Sequence, residues 1–161
     1  MLFSRKATEK KDSIATLAGI VEQLLTQKEF RYTVLDNGTF KTGIKGDHLT
    51  WQVYIHADEE RKLISIRSVL PLFIEDNQKL NIVDLLNRIN YQILLGKWGM
   101  DNEDGEVNCS MVQLADAEHF SLEQLNIMLN TNLRTVDEYF PALASVNFGN
   151  TAPAIAFNSI P

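Results

Sequence analysis

Only one cysteine, Cys109, occurs among the 161 residues, so no disulfide can close within the chain. No apolar run approaches the roughly 20 residues needed to span a bilayer. The start, Met1-Leu2-Phe3-Ser4-Arg5-Lys6, lacks the apolar stretch and cleavage site of a signal peptide. Together these absences make the cytoplasm the expected compartment. Basic charge is also scarce: 15 Lys and Arg stand against 21 Asp and Glu, a formal net charge of −6. That balance opposes a phosphate-backbone partner, whose binding depends on clustered cations. Neither nucleic acid nor membrane is therefore expected as a partner. The one basic concentration, Arg5, Lys6, Lys10 and Lys11, is interrupted by Glu9 and Asp12 and reads as a solvated approach to a helix.

Catalytic and metal-binding patterns are missing as well. His48, His56 and His119 show neither an HExxH arrangement nor Cys/His ligand spacing. His56 and Asp58, with Glu59 or Glu60 nearby, can share one side of a strand end, but a solvated turn explains them without a site. Asp101-Asn102-Glu103-Asp104-Gly105-Glu106 looks like a calcium loop until Gly105 is set on the invariant loop glycine; Met100 and Met111 then fall on the first and last ligand positions. Cys109 has no Cys-x-x-Cys partner and reads as a small core hydrophobe. Gly96-Lys97-Trp98-Gly99 follows a helix instead of joining a strand to a helix N-terminus, so it is no phosphate loop. No catalytic residue, metal ligand or cofactor-binding residue is expected, and the chain is not expected to be an enzyme.

What is present is an ordinary globular composition, 45% apolar and 22% charged, with alternating periodicities. Ile14, Leu17, Ala18, Val21, Leu24 and Leu25 recur at helical spacing, predicting a helix over about 13–28 with Asp12 or Ser13 as N-cap. Residues 30–70 are rich in β-branched and aromatic types and divide into strands near 30–35, 39–56 and 62–70. Asp36-Asn37-Gly38 predicts a tight hairpin, and Gly43 and Gly46-Asp47 are places where the second strand could split or bulge. Pro71 should end the third strand or leave it at an edge.

A second helix is expected over about 78–95, starting near Asp76 or Asn77, with Ile82, Val83, Leu86, Ile89, Ile93 and Leu94 on one side and Gly96 after its last turn. Strands near 97–101 and 106–112 then form a hairpin through Asn102 to Gly105. Ser121 and Gln124 make a capping box, with Phe120 against Leu125 as a staple, for a third helix that Pro141 should kink or end. The tail 147–161 has no charged side chain and is expected to be extended over the body, while 1–11 is expected to be a flexible lead. No linker or repeat divides the chain. The expectation is one α+β domain over 1–161, ordered α-β-β-β-α-β-β-α, with a five-stranded antiparallel sheet and helices mainly on one face.

The run Asp84-Leu85-Leu86-Asn87-Arg88-Ile89-Asn90-Tyr91, then Leu95-Gly96-Lys97-Trp98, then Asp101 to Val107, resembles the core signature of the YbjN-domain proteins, named as bacterial sensory transduction regulators. The resemblance covers about a quarter of the chain closely and the outline of most of the rest. It implies a fold similar to type III secretion chaperones of the Tir type, which are small acidic homodimers that hold extended partner segments. It implies no cofactor and no reaction. The family pattern falls on Asn87, Asn90, Tyr91, Gly96, Asp101, Gly105 and Glu106, each of which also has a structural explanation. The uncharged tail and the short N-terminal extension depart from the family outline.

Tyr54, together with Tyr32, Thr33 and Arg67, marks a mixed sheet face as the candidate partner surface. The leading expectation is a non-enzymatic interaction protein, chaperone-like or regulatory, that binds a protein partner as a homodimer. The alternative is a small-ligand sensor or cryptic enzyme with a pocket between helices and sheet, on which Asn90, Tyr91 and His56 would converge.

Overall fold

A computed structural model describes residues 16–35 and 38–161. Helix α1 (Leu17–Gln27) begins after Thr16, whose Oγ1 accepts the Gly19 N–H at 3.0 Å. The cap is therefore Thr16; Asp12, Ser13 and Ile14 lie outside the described residues, as does the lead 1–11. Leu17, Val21, Leu24 and Leu25 are buried, a gross contribution of about 6 to 12 kcal/mol that holds a short helix by packing more than by propensity.

Four strands follow: β1 (Tyr32–Val34), β2 (Thr39–Lys45), β3 (Thr50–Asp58) and β4 (Leu63–Phe73). The expected long second strand is two, because the chain turns at Gly46, Asp47 and His48. Asp137 enforces that turn: its carboxylate accepts the backbone N–H of both Asp47 and His48 at 3.0 Å. The sheet consequently has six strands instead of five. The β1–β2 hairpin forms where expected, in the register Val34↔Phe40, although Asp36 and Asn37 at its tip lie outside the described residues. Pro71 does not end β4. It sits where the register with its neighbour breaks between Val69 and Phe73, so the missing N–H falls at an irregularity.

Helix α2 (Lys79–Gln92) buries Ile82, Leu85, Leu86 and Ile89. It stops before Ile93, which leaves Leu94 outside it and exposed; Val83, inside the helix but off the buried stripe, is exposed as well. The hairpin β5 (Lys97–Met100) and β6 (Glu106–Leu114) completes an antiparallel sheet in the order β1-β2-β3-β4-β6-β5. Gly105 is required at its tip: φ is +75°, and a Cβ there would lie 2.8 Å from the Ile74 carbonyl.

Helix α3 (Leu122–Gly149) opens on the complete Ser121/Gln124 capping box. Pro141 lies inside it and does not end it. The residues beyond, Ala142, Leu143, Val146 and Asn147, are buried, and that packing outweighs the lost hydrogen bond. The tail is not an extended strap. Residue 147 belongs to α3, Asn150 closes that helix in the left-handed conformation, and Pro153 starts a short helix α4 (Pro153–Asn158) that packs on α2.

Among the described residues the buried apolar side chains form one cluster between the helices and one face of the sheet. At its centre Trp51 Nε1–H donates to Ser68 Oγ at 3.0 Å, Ser68 Oγ–H to Asn132 Oδ1 at 2.6 Å, and Asn132 Nδ2–H to the Cys109 carbonyl at 3.3 Å. This chain of bonds ties β3, β4, α3 and β6 together through fully buried groups. The chain is an α+β protein with an antiparallel sheet.

Candidate interaction surface

Strand alternation puts every second residue of the sheet on the side away from the helices. In β3, Trp51, Val53 and Ile55 point inward, while Gln52, Tyr54 and His56 point outward. Among the described residues, no helix covers that outer side. Register assigns a single row across all six strands: Thr33↔Lys41, Lys41↔Tyr54, Tyr54↔Arg67, Arg67↔Ser110 and Ser110↔Lys97. Lys41, Arg67 and Lys97 thus lie on alternate strands, separated by Tyr54 and Ser110. The Lys41 ammonium sits 5.6 Å from the centre of the Tyr54 ring.

The rows on either side carry no acid. One is Thr39, His56, Ser65 and Val112; the other is Gly43, Gln52, Val69, Asn108 and Gly99. Glu106 enters from the margin to pair with Arg67 at 2.5 Å, and Asp58 lies at the opposite margin. A shallow groove of about 340 Å³ runs over this area, lined by Thr39, Tyr54, His56, Ser65, Arg67 and Glu106 among others. Arg67 and Tyr54 are therefore brought together on the open face, as is Thr33. Tyr32 is not. It pairs with buried Thr42, stacks near Phe40 and donates its hydroxyl to Glu22 of α1 at 3.1 Å, which places it on the helix side.

A second, apolar groove of about 230 Å³ lies where β6 runs past the end of β5. Met111, Val112, Leu95, Ile127 and Met128 line it, with Val112, Leu95 and Ile127 more than half exposed. Beyond Ser110, β6 has no strand neighbour on its β5 side among the described residues, so this stretch of edge is unpaired.

The signature residues have separate duties. Asn90 Nδ2–H donates to the Trp98 carbonyl at 2.9 Å while its Oδ1 accepts the Trp98 N–H at 2.8 Å. The amide thereby covers the outer edge of β5 where another strand would add. Gly96 has φ of +83° with Met111 and the Ser110 carbonyl close behind it. Asp101 Oδ1 accepts the Glu103 N–H at 2.8 Å and shapes the hairpin that Gly105 turns. Glu106 reaches Arg67. Asn87 and Tyr91, one turn apart on α2, are exposed beside Arg88 and Phe157, and their side chains hold no hydrogen bond among the described residues. Asn90, Tyr91 and His56 do not converge: the first is committed to Trp98, the second points to solvent, and the third lies across the sheet.

Other reactive groups are accounted for by structure. Burial pushes the Cys109 thiol up to about 12, leaving it protonated at neutral pH. His56 Nδ1 lies 3.0 Å from Thr39 Oγ1, while Asp58 Oδ1 accepts the Arg61 N–H at 2.8 Å and Glu59 Oε1 the Ala18 N–H at 3.0 Å, so these carboxylates shape the chain. Asp116, Glu118 and His119 bring ligand atoms within 4.8 Å of one another, a grouping that sequence spacing did not flag. Asp116 already accepts Lys62 Nζ at 2.7 Å and the Glu118 N–H at 3.1 Å, and the Lys62 contact holds its carboxyl below the ordinary value.

The sequence profile of the family YbjN, described as "Putative bacterial sensory transduction regulator", matches residues 18–145. No curated protein sequence matches the chain. Among solved structures, a crystal structure of YbjN from E. coli superposes with a TM-score of 0.55 at 11% identity, over 73% of this chain and 83% of that one, a likeness of fold. A HopA1-SchA chaperone-effector complex is similar at a TM-score of 0.48 and 16% identity, over 71% of this chain and 85% of that one.

Proposed function

The chain belongs to the YbjN family, and from that premise we propose that it is a non-enzymatic protein-interaction module, regulatory or chaperone-like, that works in the cytoplasm as a homodimer. The observation that carries this reading is the uncovered outer face of the sheet. Six strands offer a broad surface whose inner side packs on the helices over most of its extent and whose outer side presents Lys41, Tyr54, Arg67 and Lys97. A face of mixed aromatic and charged groups suits recognition more than chemistry, since interfaces favour Tyr and Arg. No described helix is long and apolar enough to cross a membrane, and the acidic balance of the whole chain disfavours nucleic acid.

The apolar groove and the unpaired β6 edge beside it support self-association, because two copies can cover both at once around a two-fold axis. Light scattering should therefore give about twice the 18.3 kDa chain mass. A constant monomer mass across concentrations would remove the homodimer. Affinity capture from a cell extract, read by mass spectrometry, should enrich a protein partner over an unrelated acidic bait; no enrichment would contradict the interaction role.

A further inference from the structure

The open face carries more information than its exposure. In a chain with six more acids than bases, the three central rows of this face contain Lys41, Arg67, Lys97 and His56 and no carboxylate. The acids of this face are attached at its margins, Asp58 and Glu106, and the Glu106 carboxylate reaches in to Arg67. Lys41 is on β2, Arg67 on β4 and Lys97 on β5, so each cation is two strands from the next. Neighbouring strands lie about 4.8 Å apart, which spaces the cations by roughly 10 Å along a line perpendicular to the strands.

That spacing discriminates between occupants. An extended segment crossing the face presents same-side residues about every 7 Å, and the repeat does not match. A helix rises about 1.5 Å per residue, so residues seven apart recur every 10 to 11 Å on the same side. Resting on the proposed interaction role, we infer that the open face binds an acidic helical segment of a partner protein, laid across the strands, with carboxylates at heptad spacing meeting Lys41, Arg67 and Lys97. Tyr54 and Ser110 lie between the cations. Tyr54 supplies apolar area and Ser110 a hydroxyl, so the row can hold a helix by contact as well as by charge. Arg67 keeps Glu106 on one side of its guanidinium and retains further donors for a second carboxylate.

The probe is an alanine-rich helical peptide with glutamate at every seventh position, titrated into the full chain at low salt and followed by NMR. Chemical-shift changes should centre on Lys41, Tyr54, Arg67, Ser110 and Lys97, with binding about five-fold tighter than to a scrambled peptide of the same composition. The double variant Lys41→Gln/Lys97→Gln should weaken binding about five-fold while leaving the urea midpoint unchanged, because both side chains extend from the outer face. Equal affinity for the scramble, shifts centred on the helices, or tighter binding of single-stranded DNA at the same row would overturn the inference. So would a dimer interface that buries the row. A cellular partner captured equally by wild type and the double variant would sink the inference but leave the interaction role standing. Failure to capture any partner would sink the role, while the peptide titration still decides the inference.

Discussion

Two adjacent rows of the same sheet, one residue out of step, have opposite characters. The inner row runs Tyr32, Thr42, Val53, Ser68, Cys109 and Trp98; the outer row runs Thr33, Lys41, Tyr54, Arg67, Ser110 and Lys97. Most polar groups on the inner side have dedicated partners: Thr42 Oγ1–H to the Arg31 carbonyl at 2.8 Å, Ser68 to Trp51 and Asn132, the Trp98 backbone to Asn90. On the outer side only Arg67 has an ionic partner of its own among these residues. The difference teaches where specificity resides. Inside, unsatisfied polar atoms cost folding energy, so most groups are assigned, the Trp98 indole N–H being the exception in this row; outside, water satisfies the polar groups until a partner arrives.

The largest effect should come from the inner network. Asn132→Ala removes the acceptor for Ser68 and the donor to Cys109 in a fully buried place, and should cost about 3 kcal/mol in urea unfolding. A loss below about 1 kcal/mol would mean that the inner polar groups are not coupled as described.

Asn90→Ala should follow, at about 1 to 2 kcal/mol, because both backbone groups of Trp98 lose their partner at a strand edge. Amide exchange at Trp98 should accelerate with it. Unchanged exchange there would show that the β5 edge is guarded by something other than the side chain of Asn90.

Asp137 provides a pH-dependent effect. Burial raises its carboxyl, but the His48 and Asp47 N–H donors and the His48 ring more than offset this, so it is held below the ordinary value. A carboxyl depressed in the folded state stabilises fully above its unfolded value of about 3.9 and loses that contribution as pH falls through the folded value. Wild type should therefore exceed Asp137→Asn in stability at neutral pH, with the gap closing as the pH falls below the ordinary carboxylate value. A gap independent of pH would contradict the turn-pinning role.

The smallest stability effect belongs to the outer row. Lys41→Gln and Lys97→Gln should each change stability by less than about 0.5 kcal/mol. A larger loss would place these side chains in the fold and not in a binding face.

The sequence made local features legible and distant ones illegible. The capping box at Ser121 and Gln124, the hairpin at Gly105 and the inward set Trp51, Val53 and Ile55 are local patterns, and all appear in the structure. Gly46-Asp47 marks a place where β2 and β3 could separate, but the contact that fixes the turn there comes from Asp137, about ninety residues away, and is not legible locally. The continuation of α3 past Pro141 likewise depends on burial against elements far along the chain. Tyr54 and Arg67 could be placed on a mixed face from alternation alone. Lys41 and Lys97 cannot be joined to them from alternation, because that requires the β2–β3 register for the first and the β4–β6 and β5–β6 registers for the second, and the side on which Tyr32 lies is illegible because a three-residue edge strand has too short a pattern to fix its phase.

The most direct test of a binding role for the open face is lysine footprinting. The full chain, alone and in cell extract, would be pulse-labelled with an amine-reactive reagent and the modification of each lysine read by mass spectrometry. Lys41 and Lys97 should be protected several-fold in extract while Lys62, on the β3–β4 turn, is labelled equally in both conditions. Equal labelling of all three with and without extract would contradict a binding role for the open face.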